Sequence, residues 1–187
     1  MTAPLRAEQY DSTAEPWRPP TARERLQILN RSRTIAIVGA SSNPARASHF
    51  VATYLLSSST DFIVWFVNPR ESSILGHQVY PALAQLPETP DIVVVFRRAE
   101  ELLGVAADAV AVGARTFWAQ LGLWSDEAAE LAHEAGLSVV MNRCIKIEHA
   151  RFAGGLHLAG FDTGVISSRR PSRPGPPSRS PAPKFES

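Results

Sequence analysis

Three stretches of this chain are apolar without interruption: Ile35-Ala36-Ile37-Val38, Phe62-Ile63-Val64-Trp65-Phe66-Val67 and Ile92-Val93-Val94-Val95-Phe96. A strand with one wet face alternates polar and apolar residues; a continuous run needs protein over both faces. That requirement excludes an antiparallel sheet open to water on one side. Between the runs the period changes. Val51, Tyr54 and Leu55 repeat at helical spacing, as do Leu102, Ala106, Ala109 and Val110, with Gly113 as a C-terminal stop. Thr116-Phe117-Trp118 is a short fourth strand and Leu137-Ser138-Val139-Val140-Met141 a fifth. The helix between them is capped by Ser125, has Asp126 and Glu127 in its first turn, and ends at Gly136. A capping box at Thr21-Ala22-Arg23-Glu24, followed by Leu26 and Leu29, predicts a short opening helix. Strands separated mostly by helices predict an α/β fold, a doubly wound parallel sheet of about five strands in one domain.

A chain of 187 residues, 44% apolar, is long enough for one real core. Its 19 basic and 18 acidic side chains leave +1, which gives no global field for nucleic acid or an anionic membrane. No apolar run approaches the ~18 residues of a membrane span. The N-terminus lacks the apolar core of a secretory signal, and the single cysteine, Cys144, excludes an internal disulfide framework. Together these predict a cytoplasmic protein. Ten of the 15 prolines lie in the first 20 and last 17 residues. Residues 1–20 and 167–187 therefore read as disordered segments around a domain at 21–166. The C-terminal segment is basic and Pro-rich, with Arg169, Arg170, Arg173, Arg179 and Lys184 against Glu186.

In such sheets ligands bind beyond the carboxyl ends of the strands. The first strand ends in Gly39-Ala40-Ser41-Ser42-Asn43, with Arg46 ahead of the next helix. A tight glycine turn, small residues and the positive end of a helix suit a phosphate or pyrophosphate. An ordinary strand-to-helix turn would also explain the glycine, and the fingerprint G-x-G-x-x-G is missing after its first glycine. The second strand ends in Asn68-Pro69-Arg70, where an NAD-binding fold usually has an acid; arginine there suits a phosphate on the ribose. The third ends in Phe96-Arg97-Arg98. Four arginines on segments converging on one edge describe a ligand with several phosphates, as in NADP or coenzyme A.

The segments Ile37-Val38-Gly39-Ala40-Ser41, Val67-Asn68-Pro69-Arg70, Gly76-His77-Gln78-Val79-Tyr80-Pro81, Phe96-Arg97-Arg98, Trp118-Ala119-Gln120-Leu121-Gly122 and Asn142-Arg143-Cys144-Ile145-Lys146 occur in that order. This pattern resembles the small stand-alone CoA-binding proteins, which are similar to the CoA-binding domain of the succinyl-CoA synthetase alpha subunit. The resemblance covers about residues 30–150 and implies a Rossmann-like fold. It also implies coenzyme A contacts at Gly39, Ala40, Ser41, Ser42, Asn43 and Arg46, at Asn68 and Arg70, and at Phe96, Arg97 and Arg98. The synthetase subunit continues into a second domain with a phosphorylated histidine. Too few residues follow Met141 here for such a domain, so the resemblance carries binding and not catalysis.

No catalytic constellation is apparent in the sequence. His49, His77, His133, His149 and His157 form no H-E-x-x-H or other metal spacing, and neither G-x-S-x-G nor G-x-x-x-x-G-K-[ST] occurs. Asp91 precedes the third strand, at the wrong end of the sheet for chemistry. Cys144 follows the fifth strand beside Arg143 and close to Lys146, a setting that favours the thiolate; a small residue packed at a strand end reads the same. Trp118 is expected in the core and Gln120 along the crevice. Residues 154–164 contain four glycines and no clear period, and fit either a loop folded over the domain or a partner-binding arm. The expected function is non-catalytic binding of coenzyme A or an acyl-CoA. The alternatives are a minimal NADP-dependent reductase and a protein-interaction module with a vestigial nucleotide crevice.

Overall fold

The computed structural model describes residues 16–57 and 60–153. The remaining parts of the terminal segments and the stretch 154–164 lie outside the described residues. Among the described residues seven strands form one sheet: β1 (Thr34–Val38), β2 (Ile63–Val67), β3 (Ser73–Ile74), β4 (His77–Tyr80), β5 (Ile92–Val95), β6 (Thr116–Ala119) and β7 (Ser138–Val140). Their order is β3-β4-β2-β1-β5-β6-β7, and every pairing is parallel except β3 with β4. The helices are α1 (Ala22–Arg31), α2 (Ala47–Leu55), α3 (Leu102–Ala111), α4 (Asp126–Glu134) and α5 (Ile145–Ala153). This is a Rossmann-like α/β fold. The expected five strands are β1, β2, β5, β6 and β7; the β3–β4 hairpin extends the sheet beyond β2.

The continuous apolar runs are explained by two cores. Ala36, Val93, Val95, Phe117, Ala119 and Val139 face α3 and α4. Their neighbours along the same strands, Ile35, Ile37, Val94, Phe66, Trp118 and Val140, pack with residues of α1, α2 and α5. Both faces are therefore dry along the central strands β5 and β6, and nearly so along β1, as a doubly wound sheet demands. Trp118 is fully buried and its indole N–H donates to the Arg143 carbonyl at 2.7 Å.

Helix α1 starts on the expected capping box: Thr21 Oγ1 accepts from Glu24 N–H, and the Glu24 carboxylate accepts from Thr21 N–H. Arg18 hydrogen-bonds the same carboxylate and, with the Thr21 contacts, lowers its pKa to about 2. The described end of the segment expected to be disordered, residues 16–20, is docked: the Trp17 indole donates to the Val139 carbonyl at 3.3 Å and its ring lies 5.4 Å from that of Trp124. Inside, Arg25 of α1 meets Glu148 of α5 at 2.8 Å, both side chains at most 8% exposed. Among the described residues no helix is long and apolar enough to cross a membrane.

Candidate functional site

The chain runs outward from β1 to β2 and the hairpin, then returns to β5 on the other side of β1. The strand order thus reverses between β1 and β5, and the crevice of a doubly wound sheet opens there. Gly39 ends β1 with φ +81° and donates to the Val67 carbonyl at 2.9 Å. A Cβ at Gly39 would lie 2.6 Å from the Phe96 carbonyl oxygen and 2.8 Å from Arg97 Cδ. Glycine is required here twice over, for its backbone angle and for the close approach of the β5 end.

The loop that follows is ordered by its own side chains. Asn43 N–H donates to Ser41 Oγ, and Ala45 N–H donates to Asn43 Oδ1. Arg46 is the N-cap of α2 but supplies no side-chain cap, and the first turn holds no acid. The positive end of α2 therefore carries no negative charge of its own. Asn68 braces this loop from the neighbouring strand end: its amide donates to the Ala40 carbonyl at 2.7 Å and accepts from Arg70 N–H at 3.0 Å.

The four arginines differ in freedom. Arg46 and Arg70 are exposed, and neither has an ion-pair partner among the described residues. Arg97 lies against Gly39 and pairs with Glu101 at 2.5 Å, whereas Arg98, 82% exposed, is 3.6 Å from the same carboxylate. Hydrogen bonds from Arg97 and from the Arg98 backbone hold the Glu101 carboxyl below its usual range. Phe96 is half-buried and packs on the α2–α5 side of the sheet.

On the opposite face an open groove of about 410 Å³ runs past Gly39, Pro69, Pro81, Arg97, Gly104 and Val105. Gly104 lies within α3, and a Cβ there would meet nothing within 4 Å. Neither this groove nor Glu71 was among the sequence-derived candidates. Glu71 stands one residue beyond Arg70, and its Oε1 accepts from Ser42 N–H at 3.1 Å and Ser41 Oγ at 3.4 Å. The acid usual at this strand end is thus present, displaced past the arginine.

The other singled-out residues lie around the same edge or away from it. Gln120 is 4% exposed, and its amide nitrogen has no hydrogen-bond partner among the described residues. Cys144 is half-buried, and its carbonyl accepts from Glu148 N–H in the first turn of α5. His149 bonds the Tyr54 hydroxyl at 2.8 Å; burial lowers its pKa and favours the neutral ring. Among the described residues no three His, Cys, Asp or Glu side chains come together as a metal site.

A glycine turn, an uncapped helix end and an arginine rim thus lie together at the switch point of a parallel sheet, where α/β proteins of this class bind their ligands. The family model of the CoA binding domain matches residues 33–150, and the chain belongs to this family. It is 40% identical over 131 residues to the uncharacterized protein YneT of Bacillus subtilis (strain 168), which covers 70% of this chain and 96% of that protein. Among solved structures, a hypothetical protein from Pyrococcus horikoshii OT3 is similar with TM-score 0.67 and 35% identity, over 74% of this chain and 98% of that one. The dinucleotide-forming acetyl-coenzyme A synthetase 1 of Ca. Korarchaeum cryptofilum aligns with TM-score 0.53 and 28% identity, over 62% of this chain and only 26% of the synthetase.

Proposed function

We propose that this protein binds coenzyme A, free or acylated, at the carboxyl edge of its sheet, and that it binds without catalysing a reaction. The observation that carries the reading is the unpaired positive rim. Arg46 and Arg70 stand exposed beside a helix end with neither cap nor acid, in a member of the CoA-binding domain family. A pyrophosphate suits the Ser41–Asn43 turn and the α2 N-terminus, and Arg70 suits the ribose phosphate. The proline-walled groove of about 410 Å³ beside Gly104 is assigned to the adenine in this reading. The matched region is about a quarter of the acetyl-coenzyme A synthetase, which supports a binding unit shared with that larger protein. A cytoplasmic setting belongs to the same reading and is supported by the lone cysteine.

Calorimetric titration with CoA, dephospho-CoA, NADP and NAD tests this on the wild type and on Arg70→Ala. A charge-assisted hydrogen bond contributes ~1.5–3 kcal/mol, and exposure places Arg70 toward the lower bound. Arg70→Ala therefore weakens CoA about tenfold. Dephospho-CoA is nearly unaffected, because it lacks the phosphate that Arg70 holds. NADP binds worse than CoA, since its ribose phosphate hangs on the 2′ oxygen and that of CoA on the 3′ oxygen. Tight NADP binding with no response to CoA would overturn the reading, and turnover of an acyl-CoA by the purified protein would remove its non-catalytic part.

A further inference from the structure

The loop after β1 already holds an anion, and that anion belongs to the chain. Glu71 Oε1 takes the Ser42 N–H and the Ser41 hydroxyl, two of the donors that a ligand phosphate would use. We infer that Glu71 is a built-in competitor at the phosphate cradle, so that ligand binding here is an exchange of one anion for another. The inference rests on the proposed phosphate site for its location, though not on the ligand being coenzyme A.

Three observations support an exchange over a fixed structural bond. First, the loop does not depend on Glu71 for its shape. Asn43, Ala45 and Arg46 donate their N–H groups within the loop, and Asn68 ties Ala40 from the side. Second, the segment that carries Glu71 is braced through backbone and Asn68 contacts: Arg70 N–H to Asn68 Oδ1 at 3.0 Å and Glu71 N–H to the Asn68 carbonyl at 3.4 Å. The carboxylate can rotate away while its backbone stays in place. Third, Glu71 is partly exposed and has no ion-pair partner among the described residues, although Arg70 is its chain neighbour. The Ser42 backbone N–H, with the Ser41 and Ser42 side chains, holds its carboxyl below the usual range, so the occupant is ionised at neutral pH.

Two anions cannot share these donors, because like charges a few ångströms apart repel. A tethered carboxylate also competes at high effective concentration, which raises the threshold for any incoming anion. A lone carboxylate or single phosphate gains little by displacing it. A diphosphate that also reaches the guanidiniums of Arg46 and Arg70 gains more than the cradle loses. Glu71 thereby makes the site selective for ligands with several phosphates. It also satisfies the Ser41 and Ser42 donors while the site is empty.

Titration of Glu71→Ala and Glu71→Gln with CoA and with inorganic pyrophosphate tests the inference, with thermal melts to verify folding. Removing the competitor should tighten both probes, roughly three- to tenfold for Glu71→Ala. Glu71→Gln should fall in between, since a neutral amide oxygen accepts more weakly. Tighter pyrophosphate binding without any CoA response would support the competitor role while overturning the coenzyme A reading. Wild-type CoA binding that weakens or stays the same in both variants would overturn the competitor role and leave the coenzyme A reading standing. Weakening would then mark Glu71 as an acceptor for a ligand hydroxyl. Failure of every variant to bind either probe would overturn both.

Discussion

At the amino edge of the sheet, Asp91 accepts from the N–H groups of Arg33 and Thr34, at 2.8 and 3.1 Å, and pairs with Arg115 at 3.3 Å. At the carboxyl edge, Arg46 and Arg70 point charge at water, and the loop donors are taken by a partly exposed carboxylate. The first arrangement stitches β1, β5 and β6 together where no ligand is expected. The second contributes little to the fold, because exposed charges interact weakly through water. Folding and binding are thus assigned to opposite ends of the same strands. Charge substitutions should therefore divide into those that change stability and those that change affinity.

The largest effect is expected at the buried pair Arg25–Glu148, which joins α1 to α5 away from the crevice. Arg25 also donates to the Pro20 carbonyl, and Glu148 meets Arg151 at 3.4 Å. Arg25→Met leaves Glu148 buried with that partly exposed arginine as its one remaining ion-pair partner among the described residues. Breaking one side of a buried pair costs ~3–5 kcal/mol. Chemical denaturation should show this loss with CoA affinity unchanged in whatever fraction remains folded. The double variant Arg25→Met/Glu148→Leu should recover much of it, since an apolar replacement removes the stranded charge as well. A single variant as stable as the wild type would show that the pair contributes nothing.

A smaller effect is expected at Asp91, and it depends on pH. Burial alone would raise its carboxyl, but the Arg33 and Thr34 N–H groups and Arg115 outweigh that and hold it below its usual range. A depressed folded pKa contributes stability above the unfolded value, and that stability is lost as pH falls through the folded one. Asp91→Asn should therefore cost ~1–2 kcal/mol at neutral pH. The gap between variant and wild type should close as pH falls below about 4. A gap that persists at low pH would mean that the asparagine disturbs packing and that charge is not the cause.

The same division explains what could be read from the sequence. Strands β1, β2 and β5 were legible because strands packed on both faces give continuous apolar runs, β6 and β7 as shorter apolar stretches around a capped helix, and the Gly39 loop because a tight turn before a helix needs glycine. The β3–β4 hairpin was not: Ser73 and Ile74 are too few for a pattern, and His77–Tyr80, paired between that two-residue edge strand and β2, exposes His77 and Gln78. Helix α5 escaped for the opposite reason. It buries Glu148 against a partner 123 positions away in sequence, while Ile147 on the same helix faces water. Long-range charge pairing had replaced the apolar stripe that marks a helix. At the site the arginine edge was legible as a set, but the pairing of Arg97 with Glu101 and the reach of Glu71 to Ser42 depend on backbone paths that spacing does not reveal.

The smallest expected effect sharpens the comparison most, because its two readouts have opposite signs. Gly104 lies inside α3, where glycine is ~1 kcal/mol less favourable than alanine. No neighbour within 4 Å would touch a Cβ, so packing does not require the glycine. On stability alone, Gly104→Ala should raise the free energy of unfolding by ~0.5–1 kcal/mol and lift the melting temperature by a few degrees. Yet Gly104 lines the groove together with Gly39, Pro69 and Pro81. If that groove receives the adenine, the added methyl should weaken CoA a few-fold while leaving pyrophosphate binding unchanged. A more stable variant with undiminished CoA affinity would place the base elsewhere along the edge. A more stable variant that loses CoA affinity alone would show that the open space beside α3 serves the ligand at a cost to the fold.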